Sequence, residues 1–269
     1  MTAIHLATAG TEAEVLLRED LGGVATLTLN RPDQYNALSA ALLAALQSAV
    51  RDIAQDESVR VVVIAGSGRA FCAGHDLKEI HEHADPRFAK HAFERCQAVM
   101  TGLTQLPQPV IARVHGPAYA AGCQLVAQCD LAVAVTDARF ATSGVNYGIF
   151  CSTPGVPLAR NISRKRAMEM LLTGEPIDAA TALAWGLVNR VVPADRLDAE
   201  VQALARSITA KSRAVIAAGK KLFYQQVSGD LEDAYRVATA AMVDNLKTVD
   251  GKEGIAAFVE KRKPKWKNK

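Results

Sequence analysis

The sequence predicts an α/β core reaching to about residue 200, followed by a helical appendage. Two observations predict it. Through the first two thirds, apolar runs of strand character alternate with segments whose apolar residues recur at helical spacing; from Ser163 onward only helical spacing remains. With 269 residues, 49% of them hydrophobic and 22% charged, the chain suits one large core with a smaller appendage and is too poor in charge to be disordered. No internal repeat or low-complexity linker separates the two parts.

Taken in order, Gly22-Gly23 introduces the strand-like VATLTL, which closes at Asn30-Arg31-Pro32. Leu42, Leu46, Ala49, Val50 and Ile53 then mark a helix. Val59 to Ala65 is a continuous, mostly β-branched run ended by Gly66-Ser67-Gly68, the pattern of a strand buried on both faces. Phe88, Ala92, Cys96, Val99 and Leu103 mark a second helix, Pro109 to Val114 a third strand, and LAVAV after Asp130 a fourth. Ser163, Asp178, Asp230 and Asp250 are candidate helix caps, with Gly174 and Gly186 as stops. The apolar faces of these last helices need a partner surface, from the core or from another subunit.

The balance of 31 Lys and Arg against 28 Asp and Glu gives a net charge of only +3, which argues against a nucleic-acid grip. Six of those basic residues fall in 261–269 with no acid among them, so the remainder is an acidic body of −3. The five cysteines form no CxxC pair, and neither a disulfide framework nor a zinc site is predicted. His81, Glu82 and His83 are too close in sequence to share a helix face around a metal. The start carries Glu12, Glu14, Glu19 and Asp20 and no long apolar run, which argues against a signal or transit peptide. No segment is apolar over the roughly 18 residues of a membrane span. The expected location is the cytoplasm.

Two loops are candidates for chemistry. Ala70 to Lys78 (AFCAGHDLK) follows the buried strand, and Val114 to Gln124 (VHGPAYAAGCQ) follows the next. Each holds small residues where backbone amides can turn outward towards a ligand, and two such loops can converge on one oxygen. Either alone reads equally well as an ordinary strand-to-helix turn.

Together they carry a resemblance. AFCAGHDLKEI resembles the AFxAGxDLxE segment of the crotonase (enoyl-CoA hydratase/isomerase) superfamily, and VHGPAYAAGCQLVAQCDLAVA resembles its VxGxAxGGGxELAxxCDxxxA segment. LNRPDQYNALS, ARFATSGVNYG, LLTGEPIDAATALAWGLVNRVVP and FVEKRKPKW follow the family's order, so the resemblance covers nearly the whole chain. It implies an α/β fold of the crotonase (ClpP-like) type: a spiral of ββα units over residues 1–200 with a helical trimerisation region over 201–269. Alternation alone suggests an open doubly wound sheet instead. It further implies a homotrimer or homohexamer, and an acyl-CoA or enoyl-CoA as substrate with no separate cofactor. The amides of His75 and Ala121 would form an oxyanion hole for the thioester carbonyl, Ala121 beside a helix N-terminus. Ala73, Gly74, Asp76, Leu77 and Lys78 would wrap the CoA adenine, with Arg31, Lys78 and Lys261 as phosphate contacts.

The chain departs from the family where proton transfer is done. The two glutamates of a hydratase fall on Gln124 and Gly144, and neither can take a proton at neutral pH. One positioned acid or base is worth roughly 10²–10⁴ in rate, so efficient hydration by the usual route is not expected. Ser152 falls where some relatives place a functional aspartate, beside Cys151; either a nucleophile helped by His75 or plain packing accounts for them. Asn146 and Tyr147 read as acyl-pocket lining or as structure. Asp130 reads as structural, and His91 as surface. Three functions remain: a crotonase-fold enzyme with a non-standard or weak reaction, a non-catalytic acyl-CoA-binding or regulatory protein, and nucleic-acid binding through the basic C-terminus. That tail, with one tryptophan and no repeated basic–aromatic pattern, supports the last poorly.

Overall fold

The computed structural model describes residues 14–83 and 85–268; residues 1–13, over which part of the leader question was posed, and Lys269 of the basic tail lie outside them. The first half of the chain runs β1 (Leu16–Leu21), β2 (Val24–Leu29), α1 (Ala40–Gln55), β3 (Val61–Gly66), α2 (Leu77–Glu82), α3 (Pro86–Gln105), β4 (Val110–Val114), β5 (Ala118–Tyr119) and α4 (Ala121–Gln128). The second runs β6 (Leu131–Val135), β7 (Arg139–Ala141), α5 (Ser152–Asn161), α6 (Arg164–Thr173), β8 (Ile177–Asp178), α7 (Ala179–Trp185) and β9 (Arg190–Val192). Helices α8 (Leu197–Thr209), α9 (Arg213–Gln226), α10 (Leu231–Lys247) and α11 (Val249–Val259) complete it.

The main sheet has the order β1-β2-β3-β4-β6-β9, and a small one the order β5-β7-β8. From β2 to β9 the main-sheet pairs are parallel. Strand order follows chain order without reversal, so the switch point that defines a doubly wound sheet is missing. Instead each turn lays one strand in the main sheet, one short strand in the small sheet, and then a helix: β4, β5, α4, and again β6, β7, α5. A parallel bridge between Cys72 and Ala118 extends the small layer back to the turn begun by β3. This is the ββα spiral.

The buried elements follow their sequence patterns. All but the last residue of β3 is buried, as its unbroken apolar run predicts. Helix α1 starts where the Ser39 hydroxyl accepts the Leu42 N–H, and it buries Leu42, Leu43, Leu46, Val50 and Ile53 against the core. Helix α3 starts at Asp85, which accepts the Arg87 N–H, with Pro86 in its first turn.

Four sequence expectations need correction. Gly22-Gly23 does more than introduce β2: at φ +59° and +80° the pair closes a two-residue hairpin with β1, matching the primed turns that suit twisted strands. Helix α5 precedes Ser163, and β8 and β9 follow it, so the chain beyond Ser163 is not all helix. Ser163 makes no side-chain cap, whereas Asp178 and Asp230 do. The last helix is capped by Thr248; Asp250 is buried inside its first turn, accepting from the Ser212 hydroxyl and from the backbone of Lys267 and Asn268.

The basic tail is docked rather than free. The Glu253 carboxylate accepts from Nη1 and Nη2 of Arg262 and from the Lys265 N–H, which hold it down at about 2. The Trp266 indole N–H donates to the Ala210 carbonyl. Helix α8 lies against β3, β4 and β6, whereas α9 and α10 bury no residue fully and leave Phe223, Leu231, Tyr235, Met242 and Leu246 exposed. Among the described residues no helix is long and apolar enough to cross a membrane.

Candidate active site

The two small-residue loops leave β3 and β4 at the same end of the sheet and pack backbone to backbone. Phe71 N–H donates to the Pro117 carbonyl (3.0 Å), and Tyr119 N–H donates to the Cys72 carbonyl (2.9 Å). A side chain at Gly122 would fall on the Cys72 carbonyl oxygen, and one at Gly74 would lie 2.9 Å from Ala120 Cβ and 3.2 Å from Ala121 N. Glycine is required at both places by this close approach, and at Gly74 also by φ +104°.

Two amides face outward from this junction. In the parallel bridge between Leu38 and His75, Leu38 N–H donates to the Gly74 carbonyl and its own carbonyl accepts Asp76 N–H. Strand alternation therefore turns the His75 N–H to the opposite edge. Ala121 is the first residue of α4, where an N–H has no intrahelical acceptor. Among the described residues neither amide has a backbone acceptor. Between them Ala120 is held at φ +49°, ψ −117°, by its N–H to the Ala141 carbonyl (2.8 Å) and by the Gln124 N–H donated to its own carbonyl. Strain of this kind costs on the order of 1–3 kcal/mol and is characteristic of sites whose backbone is held for a purpose.

A cleft of about 410 Å³ opens beside this junction. Of the residues singled out in the sequence, His75, Ala121, Gly144, Ser152, Ala73, Leu77, Tyr147 and Cys151 line it. Gln124, Arg31, Gly74, Asp76, Lys78, Asn146 and Lys261 do not. Gln124 is a buried residue of α4, its side-chain oxygen unpartnered among the described residues. Arg31 donates to Asp76 (2.9 Å) and to the Ala37 carbonyl (2.6 Å), while Asp76 caps α2. That pair holds the loop, and the Asp76 carboxyl sits below its ordinary value despite burial, through the Glu79 amide and Arg31. Lys78 is exposed, 3.9 Å from Glu82. Lys261 is exposed beyond α11, hydrogen-bonded through its backbone to Phe258.

Burial shifts both His75 and Cys151 towards their neutral forms. Burial pushes the His75 imidazole down to about 4, so it is neutral near pH 7. Both its ring nitrogens are buried and unpartnered, and its ring meets Phe93 edge-on at 4.8 Å. Cys151 accepts the Gly144 N–H at 3.3 Å, yet burial keeps its thiol above the ordinary value. The Ser152 hydroxyl donates to the Phe150 carbonyl. With His75 bonded to neither, the nucleophile reading of Cys151 and Ser152 lacks its base.

Sequence reasoning missed Phe93, Ile149 and Phe150, which form apolar walls of the cleft. Phe93 was detectable as an aromatic residue lying off the buried stripe of α3. Asp130 accepts from Val110 N–H, Lys220 and Tyr224 at 2.7–2.8 Å and is not among the residues lining the cleft, in keeping with its structural reading.

A model of the family described as enoyl-CoA hydratase/isomerase matches residues 19–269. The human protein "Enoyl-CoA hydratase domain-containing protein 3, mitochondrial" is 49% identical over 246 residues, covering 91% of this chain and 81% of that protein. Its crystal structure superposes with a TM-score of 0.91 at 48% identity, covering 94% of this chain and all of the other (100%). An enoyl-CoA hydratase structure from Mycobacterium smegmatis reaches a TM-score of 0.92 at 56% identity, covering 94% of this chain and 98% of that one. The mouse and Xenopus laevis relatives, at 47% and 48% identity, are likewise named mitochondrial. These relatives overturn the cytoplasmic expectation, which rested on an acidic start without a long apolar run, on cysteines that form no disulfide framework and on the lack of a membrane-length apolar segment. With the spiral fold, the paired loops and these matches together, the chain belongs to the enoyl-CoA hydratase/isomerase family.

Proposed function

We propose that this protein binds an acyl-CoA thioester in the cleft, with the carbonyl oxygen between the His75 and Ala121 amides, and that it hydrates enoyl-CoA poorly. One observation carries the second half: among the described residues, no aspartate or glutamate lines the cleft. A thioester carbonyl held by two preorganised amides is polarised, and each such donor is worth about 2.7–4 kcal/mol to a developing oxyanion. Hydration also needs a base for the water and an acid for the α-carbon, and His75 is too weak a base to serve near pH 7.

A glutamate cannot be restored at position 144 without moving the loop. Its Cβ would meet the Ile149 carbonyl oxygen and lie 2.8 Å from Cys151 Sγ. The same missing carboxylate supports a second reading, a non-catalytic acyl-CoA-binding or regulatory protein. Purified protein should bind saturated acyl-CoA by calorimetry, yet hydrate crotonyl-CoA and longer enoyl-CoAs at least about 10²-fold more slowly than a glutamate-bearing family enzyme. Comparable turnover would sink the argument from the carboxylates; binding without any turnover would select the second reading.

The helical region from α9 onward serves as an oligomer contact in this proposal, giving a homotrimer or a hexamer. Its support is the row of exposed apolar residues on α9, α10 and α11, including Phe223, Tyr235, Met242 and Phe258. Sedimentation equilibrium at micromolar concentration should return three or six times the chain mass, and a stable monomer would refute it.

A further inference from the structure

We infer that Asn36 is a positioning residue whose carboxamide sets where the His75 amide stands relative to the Ala121 amide. The inference rests on the proposed placement of a thioester carbonyl between those two amides.

Asn36 lies between β2 and α1, fully buried, at φ +56°, a left-handed conformation that asparagine tolerates better than most residues. Its side-chain oxygen accepts the Arg31 N–H (2.9 Å). Its side-chain nitrogen donates to the carbonyls of Ser67 (2.8 Å), Ala70 (2.8 Å) and Phe71 (3.2 Å). Gly66 leaves room for this contact, since a Cβ there would lie 2.9 Å from that nitrogen. Among the described residues no other donor reaches the three carbonyls. One short side chain thus gathers the stretch of chain that leaves β3.

The neighbours of Asn36 hold the far end of the same loop. The Tyr35 carbonyl accepts the Ala73 N–H (3.0 Å), Leu38 N–H donates to the Gly74 carbonyl (2.7 Å), and the Leu38 carbonyl accepts the Asp76 N–H (3.3 Å). His75 is therefore held on both sides by the segment 35–38. That pairing alone lets segment and loop shift together as one body. The Asn36 carboxamide ties the segment to Phe71, whose N–H donates to the Pro117 carbonyl (3.0 Å) of the second loop, the loop that leads to Ala121. Without the carboxamide, buried carbonyls lose their donor and the segment carrying His75 is free to slide.

The test is isotope-edited infrared spectroscopy of butyryl-CoA labelled with carbon-13 at the thioester carbonyl, bound to the full chain. In the wild type the carbonyl band should fall below its position in water, because two amides polarise it. Asn36→Gly keeps the left-handed backbone and removes the carboxamide; its band should return most of the way to the solution position and its affinity for butyryl-CoA should fall about tenfold. Free coenzyme A, which has no acyl carbonyl, should bind this variant within about twofold of the wild type. Asn36→Ser, which keeps one donor on a short stem, should give an intermediate band and carries the test if Asn36→Gly does not fold. Gln108→Ala is the structural control: Gln108 is buried, donates to the carbonyls of Ile53 (2.8 Å) and Asp56 (3.2 Å) and does not line the cleft, so the variant should lose stability without moving the band. A wild-type band at its solution position, or no binding of butyryl-CoA, removes the placement of the carbonyl and this inference with it. A polarised wild-type band that stays in place in Asn36→Gly and Asn36→Ser, or moves as far in Gln108→Ala, leaves that placement standing and overturns the positioning role alone.

Discussion

Replacing Lys220 by alanine should destabilise the protein by about 3–5 kcal/mol, the characteristic cost of stripping one partner from a buried ion pair. The Lys220 side chain is 6% exposed and that of Asp130 is 17% exposed. Lys220 spends its three ammonium protons on Asp130 (2.7 Å) and on the carbonyls of Leu103 (2.8 Å) and Gln108 (2.9 Å). Asp130 also accepts from the Tyr224 hydroxyl (2.8 Å) and the Val110 N–H (2.7 Å). Burial pulls the Lys220 ammonium down while Asp130 pushes it back up; burial and Asp130 both raise the Tyr224 hydroxyl. Alanine would leave a carboxylate and two carbonyls in low dielectric with one donor side chain in place of two.

The effect should reach beyond global stability, because Lys220 and Tyr224 both lie on α9, a helix with no fully buried residue. Their bonds to Asp130, at the junction of α4 and β6, fasten the helical region to the core. Urea unfolding should show the loss, and limited proteolysis should cut α9 to α11 first. Lys220→Met combined with Asp130→Asn removes both charges and keeps an acceptor for Val110 or Tyr224. It should be the more stable variant. A loss below about 1 kcal/mol for Lys220→Ala would mean that the pair is solvated and contributes no more than a surface ion pair.

No local pattern announces that network: its members are 90 residues apart, and a lysine on a polar helix face reads as solvated. The elements legible from sequence are those whose burial imposes a period or an unbroken apolar run, such as β3, β6, α1 and α3. Strand β1 escaped because it is an edge strand with one buried residue in six, and an edge strand needs no alternation. Helix α5 escaped because Pro154, Gly155 and Pro157 argue locally against helix, while packing on α4 decides the matter. Strand β9 has three residues, too few to show a period. In the candidate site the two loops were legible because close backbone approach demands small residues in a recognisable order. The apolar walls were not, since Phe93 arrives from α3 and Ile149-Phe150 from a later turn of the spiral.

Gly122→Ala should abolish most thioester binding, with a loss of about 10² or more in affinity. A Cβ at this position would clash with the Cys72 carbonyl oxygen and lie 2.7 Å from its carbon and 2.9 Å from Cys72 Cβ. Nothing there can yield cheaply. The Cys72 carbonyl accepts Tyr119 N–H, its residue bridges Ala118, and its side chain is fully buried. Relief comes only by moving the start of α4 away from the loop Ala70 to Lys78, which separates the Ala121 amide from that of His75. Losing one such donor costs roughly 10²–10³ in the reactions it supports, and overpacking adds about 1–3 kcal/mol of instability. Gly219→Ala makes the matched control: a Cβ there meets open space within α9, so the same substitution should stabilise by roughly 0.5–1 kcal/mol. Calorimetry with butyryl-CoA on the two variants separates a general alanine effect from a local one. A Gly122→Ala protein that binds as tightly as the wild type would mean that the proposed carbonyl site does not depend on the contact between the two loops.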